Sequence, residues 1–119
     1  MTQPNHSDAL NLAAQIAKRD LSVRGATEAA IASIEKKNPL LNAVVAERFD
    51  AARAEADAMD QRRPEEAGPL WGVPFLLKDV NLYSSALPTR FASRFFATAR
   101  PKGDSIMVRR WRACGSGYD

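Results

Sequence analysis

One lysine, Lys78, stands where the sequence could place a proton-transfer group. It follows the apolar run Val73–Leu77 and precedes Asp79. A compact apolar run is typical of a buried strand, and α/β proteins place their ligands at the carboxyl ends of such strands. Because burial disfavours the charged form of an amine, a lysine at that edge can become a proton acceptor. The alternative is a lysine that pairs with Asp79 or extends to water, and the spacing alone does not decide between them.

Few other residues in the chain could form a reactive centre. The single histidine, His6, falls in a segment that we predict to be a mobile tail, residues 1–7, whereas a catalytic imidazole must be held against its nucleophile. The single cysteine, Cys114, is interpreted as a small packing residue near the end of a helix. One histidine and one cysteine do not provide the usual ligand spacing of a metal site, and no phosphate-binding or dinucleotide motif occurs. We therefore expect neither a metal nor a cofactor.

Four helices and two short strands are predicted to position Lys78. Capping residues and apolar spacing place the helices at residues 8–19, 27–38, 47–62 and from 105 onward. In the first of them the apolar stripe is predicted to be Leu10, Ala14, Ala17 and Leu21. Residues 42–46 are interpreted as a strand or an extended connector, and residues 73–77 as a strand. This order indicates an α/β protein whose two strands cannot complete a sheet, so the pattern looks incomplete.

Composition excludes several classes of protein. The longest apolar stretch, Leu70–Leu77, is eight residues long, whereas a membrane-spanning helix needs about 20. A single cysteine forms no intrachain disulfide, which favours a cytoplasmic location. Residues 90–119 carry a net charge of +5 and residues 1–89 a net charge of −2. We interpret the basic part as an ordinary solvated face, because a surface that tracks phosphates would need a wider basic patch, and we expect no nucleic acid and no membrane as partners.

Residues 68–79, which read Gly-Pro-Leu-Trp-Gly-Val-Pro-Phe-Leu-Leu-Lys-Asp, closely resemble the first conserved block of the amidase signature family. The stretches 88–89, 104–105 and 108–115 are similar to the region after that block, and residues 38–43 to the region before it. The similarity covers residues 8–115. Within the family, the sequence Phe75–Lys78 is most similar to that of amidases of the 6-aminohexanoate cyclic dimer hydrolase type.

The resemblance implies a fold, a reaction and a role for Lys78. The fold is α/β, with helices flanking a mixed sheet, and residues 8–115 form its N-terminal portion, followed by residues 116–119 outside the family pattern. The reaction is hydrolysis of an amide bond by a Ser–cis-Ser–Lys triad that needs no metal or cofactor. Lys78 matches the triad lysine, which takes a proton from the bridging serine.

The serines of that triad lie, in the family, downstream of position 119. Ser84, Ser85 and Ser93 are close to Lys78 in sequence, but none stands in the family's serine context. We therefore expect an N-terminal fragment of an amidase that carries the catalytic lysine and is inactive alone. The substrate of the complete protein would be a small amide, and the oligomeric state is left open.

Two other functions are compatible with the residues. One is a non-catalytic binding or assembly module built on an amidase scaffold, resembling the amidase-type subunit of transamidation machinery. Its partner surface would be the apolar face of the helix predicted at Glu47–Arg62. The other is a small nucleic-acid binder that uses the basic C-terminal part, for which affinity would fall steeply with salt.

Overall fold

The computed structural model describes residues 8–61, 65 and 67–116. These residues form four α-helices, α1 (Ala9–Ala17), α2 (Val23–Leu41), α3 (Phe49–Gln61) and α4 (Ile106–Ser116), and a short 3₁₀ helix at Arg94–Phe96. The tail predicted at residues 1–7, with His6, lies outside the described residues. The four helices confirm the predicted helical segments, although two of the predicted boundaries are wrong.

Helix α2 begins earlier than predicted because Ser22 provides the cap. The Ser22 hydroxyl accepts the backbone N–H of Gly25 at 2.9 Å, and the Ser22 backbone is extended, as an N-cap requires. Thr27, predicted to be the cap, is instead buried in the second turn of the helix. A threonine at the start of a regular apolar pattern can therefore lie inside the helix when an earlier serine provides the N-cap.

Helix α2 also continues through Pro39, where the sequence predicted its end. The helix closes at Asn42, whose backbone has a left-handed φ of 51° and whose N–H donates to the Asn38 carbonyl at 2.8 Å. The Asn38 side chain donates to the Val44 carbonyl and accepts the Val44 N–H, at 2.9 and 2.8 Å. These hydrogen bonds stabilise the last turn and the connection after it.

Helices α2 and α3 pack antiparallel, and their charged side chains are in register. Arg24 near the start of α2 pairs with Asp57 near the end of α3 at 2.6 Å, and Glu28 one turn later pairs with Arg53 at 2.9 Å. The carboxylate of Asp60 accepts the backbone N–H groups of residues 23 and 24, at 2.7 and 2.8 Å. The end of α3 thus caps the beginning of α2 from a distant position in the sequence.

Replacing Asp60 with alanine is expected to lower the free energy of unfolding by roughly 1–2 kcal/mol, because two N–H groups at the start of α2 lose their charged acceptor. Asp57→Ala is the matched control, since it removes a carboxylate one turn earlier that binds only an exposed arginine side chain. Urea unfolding of the two variants measures the difference. Equal effects of the two substitutions would contradict the capping role of Asp60.

The core lies where α1, α2 and α3 meet, and Trp71 completes it. Ile16, Val23, Ala26, Ala56 and Trp71 form one buried cluster, and Trp71 is only 3% exposed. The apolar face predicted for α3 is confirmed, because its central alanine is in this cluster. The other residues of that face, Phe49, Ala52 and Met59, are half-buried.

The apolar stripe predicted for α1 is wrong. Leu10 is 70% exposed, and the buried residues of the helix are Ala13 and Ile16. Apolar residues are spread around most of this helix, so its periodicity did not identify the buried face. That face was decided by contact with Val23 and Trp71 in the core.

Neither predicted strand is present within the described part of the chain. Residues 42–46 connect α2 to α3, and residues 73–78 come after the Trp71 turn without regular secondary structure. A strand requires a neighbour that shares its ladder of backbone hydrogen bonds, and the described residues supply none for either segment. The mixed sheet of the expected α/β fold is accordingly not observed in these residues, and the architecture here is helical.

Candidate active-site cleft

A wide cleft runs between the α2–α3 pair and the segment that leads to α4. Its volume is about 1540 Å³. Apolar side chains of α2 and α3 form one wall, and residues 73–79 with Val108 and Trp111 form the other. Phe75 and Trp111 meet edge to face, with ring centroids 5.8 Å apart. The cleft is large enough for a small organic substrate and brings residues distant in sequence around one space.

Residues 68–72 hold the second wall against the core. The Leu70 N–H donates to the Cys114 carbonyl of α4 at 3.0 Å. Gly68 lies so close to α4 that a Cβ built on it would be 2.1 Å from the same carbonyl oxygen. Gly72 has a φ of +77°, and a Cβ there would be 2.6 Å from the Val23 side chain. These two glycines of the amidase-like block therefore permit two close approaches, with Trp71 inserted between them.

Lys78 lies at the rim of the cleft, after this anchored turn. Its side chain is exposed, so in the described residues it extends to water, which is one of the two alternatives that the spacing left open. No ion pair of Lys78 occurs among the described residues, and Asp79 is occupied elsewhere: its Oδ1 accepts the Arg90 N–H at 2.7 Å. The lysine is exposed because the strand predicted before it has no neighbours in these residues, and a single unpaired segment cannot enclose a side chain.

Asp104 organises the part of the cleft opposite α3. Its carboxylate accepts the Ser85 N–H at 2.8 Å and pairs with Arg112 at 3.2 Å. Partial burial of the carboxylate opposes its ionisation, but the Ser85 N–H, the charge of Arg112 and the hydroxyls of Ser84 and Ser85 outweigh it. Together they hold the pKa of Asp104 below its ordinary value. Asp104 thereby joins the loop after Lys78 to helix α4.

The effect of Asp104 on stability is expected to depend on pH. Because its pKa is lower in the folded state, the stabilisation is complete above the unfolded value of about 4 and is lost as the pH falls through the folded value. Asp104→Asn, which keeps an oxygen for the Ser85 N–H, should reduce stability at neutral pH by about 1 kcal/mol and flatten its decline in acid. Chemical unfolding measured between neutral pH and about pH 2 tests this.

Other carboxylates contribute to acid unfolding as well, so only the difference between the two proteins reports on Asp104. Hydrogen bonds from Arg53 and Arg48 lower the pKa values of Glu28 and Glu55, respectively. Parallel pH curves for the wild-type and Asp104→Asn chains would contradict the assignment.

The serines near Lys78 have structural contacts. Ser84 is 1% exposed, and its oxygen accepts the Ala86 N–H at 3.3 Å. Ser93 caps the 3₁₀ helix by accepting the Phe95 N–H. These contacts agree with leaving the serines outside the candidate site. Cys114, predicted to be a packing residue, is exposed instead, because the backbone of its turn rather than its thiol faces residues 68–70.

Residues 8–61, 65 and 67–116 contain neither a cluster suited to a metal ion nor a helix suited to a membrane span. In this part of the chain, no group of three or more histidine, cysteine, aspartate or glutamate side chains could hold a metal ion. No helix of the same residues is both long and apolar enough to cross a bilayer.

The family model described as Amidase matches residues 25–116. The chain therefore belongs to the amidase family. An acylamidase from Rhodococcus erythropolis is 36% identical over 111 residues, which are 90% of this chain and 23% of that protein. A glutamyl-tRNA(Gln) amidotransferase subunit from Oleidesulfovibrio alaskensis is 38% identical over 104 residues, which are 87% of this chain and 21% of that protein. The family prediction is confirmed, and the finer likeness to 6-aminohexanoate cyclic dimer hydrolases stays a prediction.

A solved structure shares the fold. It is described as an inhibitor-bound form of an unexpected vestigial protein complex that reveals the evolutionary origins of an s-triazine catabolic enzyme. The match has a TM-score of 0.81 and 31% identity, over 92% of this chain and 24% of that chain. The present chain thus spans about a quarter of the length of the relatives that it matches.

Proposed function

We propose that this chain is the lysine-bearing N-terminal portion of an amide-bond hydrolase of the Ser–cis-Ser–Lys type, with Lys78 as the proton acceptor of the triad. The observation that carries the proposal is the position of Lys78. Lys78 opens onto the large cleft and follows, six residues after Gly72, the turn that Trp71 and the two glycines hold in place. Membership of the amidase family supports hydrolysis of an amide.

The chemistry assigned to Lys78 is proton transfer. Its neutral amine accepts a proton from a bridging serine, which in turn deprotonates the nucleophilic serine. The nucleophile attacks the amide carbonyl, the amine leaves with a proton, and water hydrolyses the acyl-enzyme. The two serines belong to the part of the family's length that residues 8–115 do not cover, so this chain alone has no turnover.

The exposed state of Lys78 agrees with an incomplete site. In the complete protein, the remaining part of the fold pairs residues 73–77 as a strand of a mixed sheet and covers Lys78. Burial then disfavours the charged amine and makes it a usable base. The proposed domain is residues 8–115, with residues 116–119 outside the family pattern. We place the protein in the cytoplasm, where a single cysteine stays reduced, and its substrate is a small amide.

A joined protein tests the proposal. Residues 8–116 of this chain replace the matching first quarter of the Rhodococcus acylamidase, and hydrolysis of a simple acylamide is measured. We expect turnover by the joined protein and none by the present chain. Turnover by the chain alone, abolished by Lys78→Ala, would contradict the proposed fragment and require serines within these 119 residues.

A non-catalytic assembly module is the second candidate, and the similarity to an amidotransferase subunit favours it. The two candidate functions predict different effects of replacing Lys78 in the joined protein. A module whose lysine has no chemical role leaves the activity of the joined protein unchanged when Lys78 is replaced, whereas the proposed hydrolase loses it.

A further inference from the structure

Residues 74–82, which contain Lys78, form one hydrogen bond to another segment of the described chain. It joins the Asp79 carboxylate to the backbone of Arg90, whose N–H donates to Oδ1 at 2.7 Å. No backbone-to-backbone hydrogen bond ties the segment to the other described residues. Asp79 is half-buried, whereas Lys78 beside it is exposed. The side chain next to the lysine thus makes the polar attachment of the whole segment.

The contacts on the other side of the lysine are farther away along the chain. Trp71 and Gly72 hold the turn before the segment, and Gly72 precedes Lys78 by six residues. The Phe75 ring meets Trp111 edge to face, three residues before the lysine. Because each residue without paired backbone groups keeps several conformations open, these contacts leave the direction of the lysine undefined.

Arg90, to which Asp79 is bonded, lies in backbone that is held by other contacts. Thr89, directly before it, is only 4% exposed, and its N–H donates to the Ala99 carbonyl at 3.3 Å. The Arg90 carbonyl accepts the Ser93 N–H at 2.9 Å. None of these contacts involves residues 74–82. Asp79 therefore attaches the lysine's segment to a point that is fixed independently of it.

The attachment restricts Lys78 because the two residues are adjacent. Their peptide bond is trans, so their Cα atoms are about 3.8 Å apart. The aspartate side chain is short, and a hydrogen bond to its oxygen confines its own backbone as well. A turn at residues 79–81 follows, and Asn81 closes it with a left-handed φ of 62°, which asparagine tolerates. Lys78 thus stands at the entry of a turn that the Asp79 carboxylate anchors.

We propose that Asp79 is a positioning residue for Lys78: by binding the Arg90 N–H, it sets the direction from which the lysine amine reaches the bridging serine. Given the proposed function of Lys78, on which this inference rests, the amine must come within about 2.6–3.2 Å of the serine oxygen. A misplacement of about 1 Å lowers such rates by up to about 10²-fold. A long, flexible lysine side chain keeps that geometry only when its backbone is fixed.

Steady-state kinetics of the joined protein test the positioning role. Asp79→Ala should lower kcat by about 10- to 10²-fold and change KM by less than about threefold, because the loss affects the reacting geometry rather than substrate binding. Asp79→Asn keeps an oxygen for the Arg90 N–H and should retain kcat within about threefold.

A matched control removes a carboxylate with the same kind of bond elsewhere. Asp60 also accepts backbone N–H groups but does not line the cleft. Asp60→Ala should therefore leave kcat within about twofold of the unmodified joined protein, although it lowers stability. Urea unfolding verifies that each variant is folded under the assay conditions.

Hydrogen exchange in the present chain tests the contact without any turnover. The Arg90 N–H should exchange at least about tenfold faster in Asp79→Ala than in the unmodified chain, because it loses its acceptor. Asp79→Asn and Asp60→Ala should change that rate by less than about threefold. Exchange followed by NMR, residue by residue, measures these rates.

The possible results distinguish the positioning role from the proposed function. Unchanged Arg90 exchange in Asp79→Ala would overturn the positioning role, as would an unchanged kcat of this variant when Lys78→Ala inactivates the joined protein. Equal losses of kcat in Asp79→Asn and Asp79→Ala, or in Asp60→Ala and Asp79→Ala, would overturn it as well. A joined protein without turnover, or one whose activity survives Lys78→Ala, would overturn the proposed function and the positioning role with it.

Discussion

Replacing Lys78 with alanine is expected to lower amide hydrolysis by the joined protein about 10²- to 10⁴-fold. The substitution removes the proposed proton acceptor and breaks no ion pair, because Lys78 has none among the described residues. The loss should therefore fall on kcat more than on KM. Steady-state kinetics with a simple acylamide measure both.

Two further variants separate a base from a mere positive charge. Lys78→Arg keeps the charge, but a guanidinium does not give up its proton near neutral pH, so this variant should be about as inactive as alanine. Lys102 is an exposed lysine outside the cleft, and Lys102→Ala should leave activity unchanged. Full activity of Lys78→Arg would contradict proton transfer by Lys78 and indicate an electrostatic role instead.

The second large effect concerns Gly68, whose replacement by alanine is expected to lower the free energy of unfolding by roughly 3 kcal/mol. The added methyl carbon would lie 2.1 Å from the backbone oxygen of Cys114, where real contacts of this kind do not occur. Since the obstacle is backbone, no side-chain rotation relieves it. Either α4 or the turn at residues 68–71 must move, and the Leu70–Cys114 hydrogen bond is lost.

Gly103 provides the control for Gly68. It lies shortly before the start of α4, and a Cβ built there has no neighbour within 4 Å. Gly103→Ala should change the free energy of unfolding by less than about 0.5 kcal/mol. Urea unfolding of both variants measures the difference. A similar free energy of unfolding for the two would contradict the inference that the fold requires the close approach between residue 68 and α4.

Local sequence signals located the helices because capping and apolar spacing act over a few residues. Asp8 caps α1, and α4 begins just after Asp104 and Ser105, as predicted. The boundaries of α2 were less predictable. Thr27 is as good a cap as Ser22 on local grounds, and Pro39 is tolerated because it falls in the last turn, which Asn38 and Asn42 stabilise.

The distant cap of α2 by Asp60 had no sequence signal. It exists only because the antiparallel packing of α2 and α3 brings positions 23 and 60 together. The loop at residues 89–99 is similar. Its phenylalanines are visible in the sequence, and only the fold shows that Phe95 is 87% exposed and packs edge-on against Phe96.

The sequence by itself determined the amidase family and singled out Lys78, because residues 68–79 carry a long and specific pattern. It did not determine the environment of that lysine. Burial and strand pairing are properties of neighbours in space, and residues 73–78 find no partner strand among the described residues, so Lys78 lies exposed at the rim of the cleft. Tertiary structure decided what the glycines are for as well: one meets the backbone of α4 and the other meets Val23, contacts that no local spacing encodes.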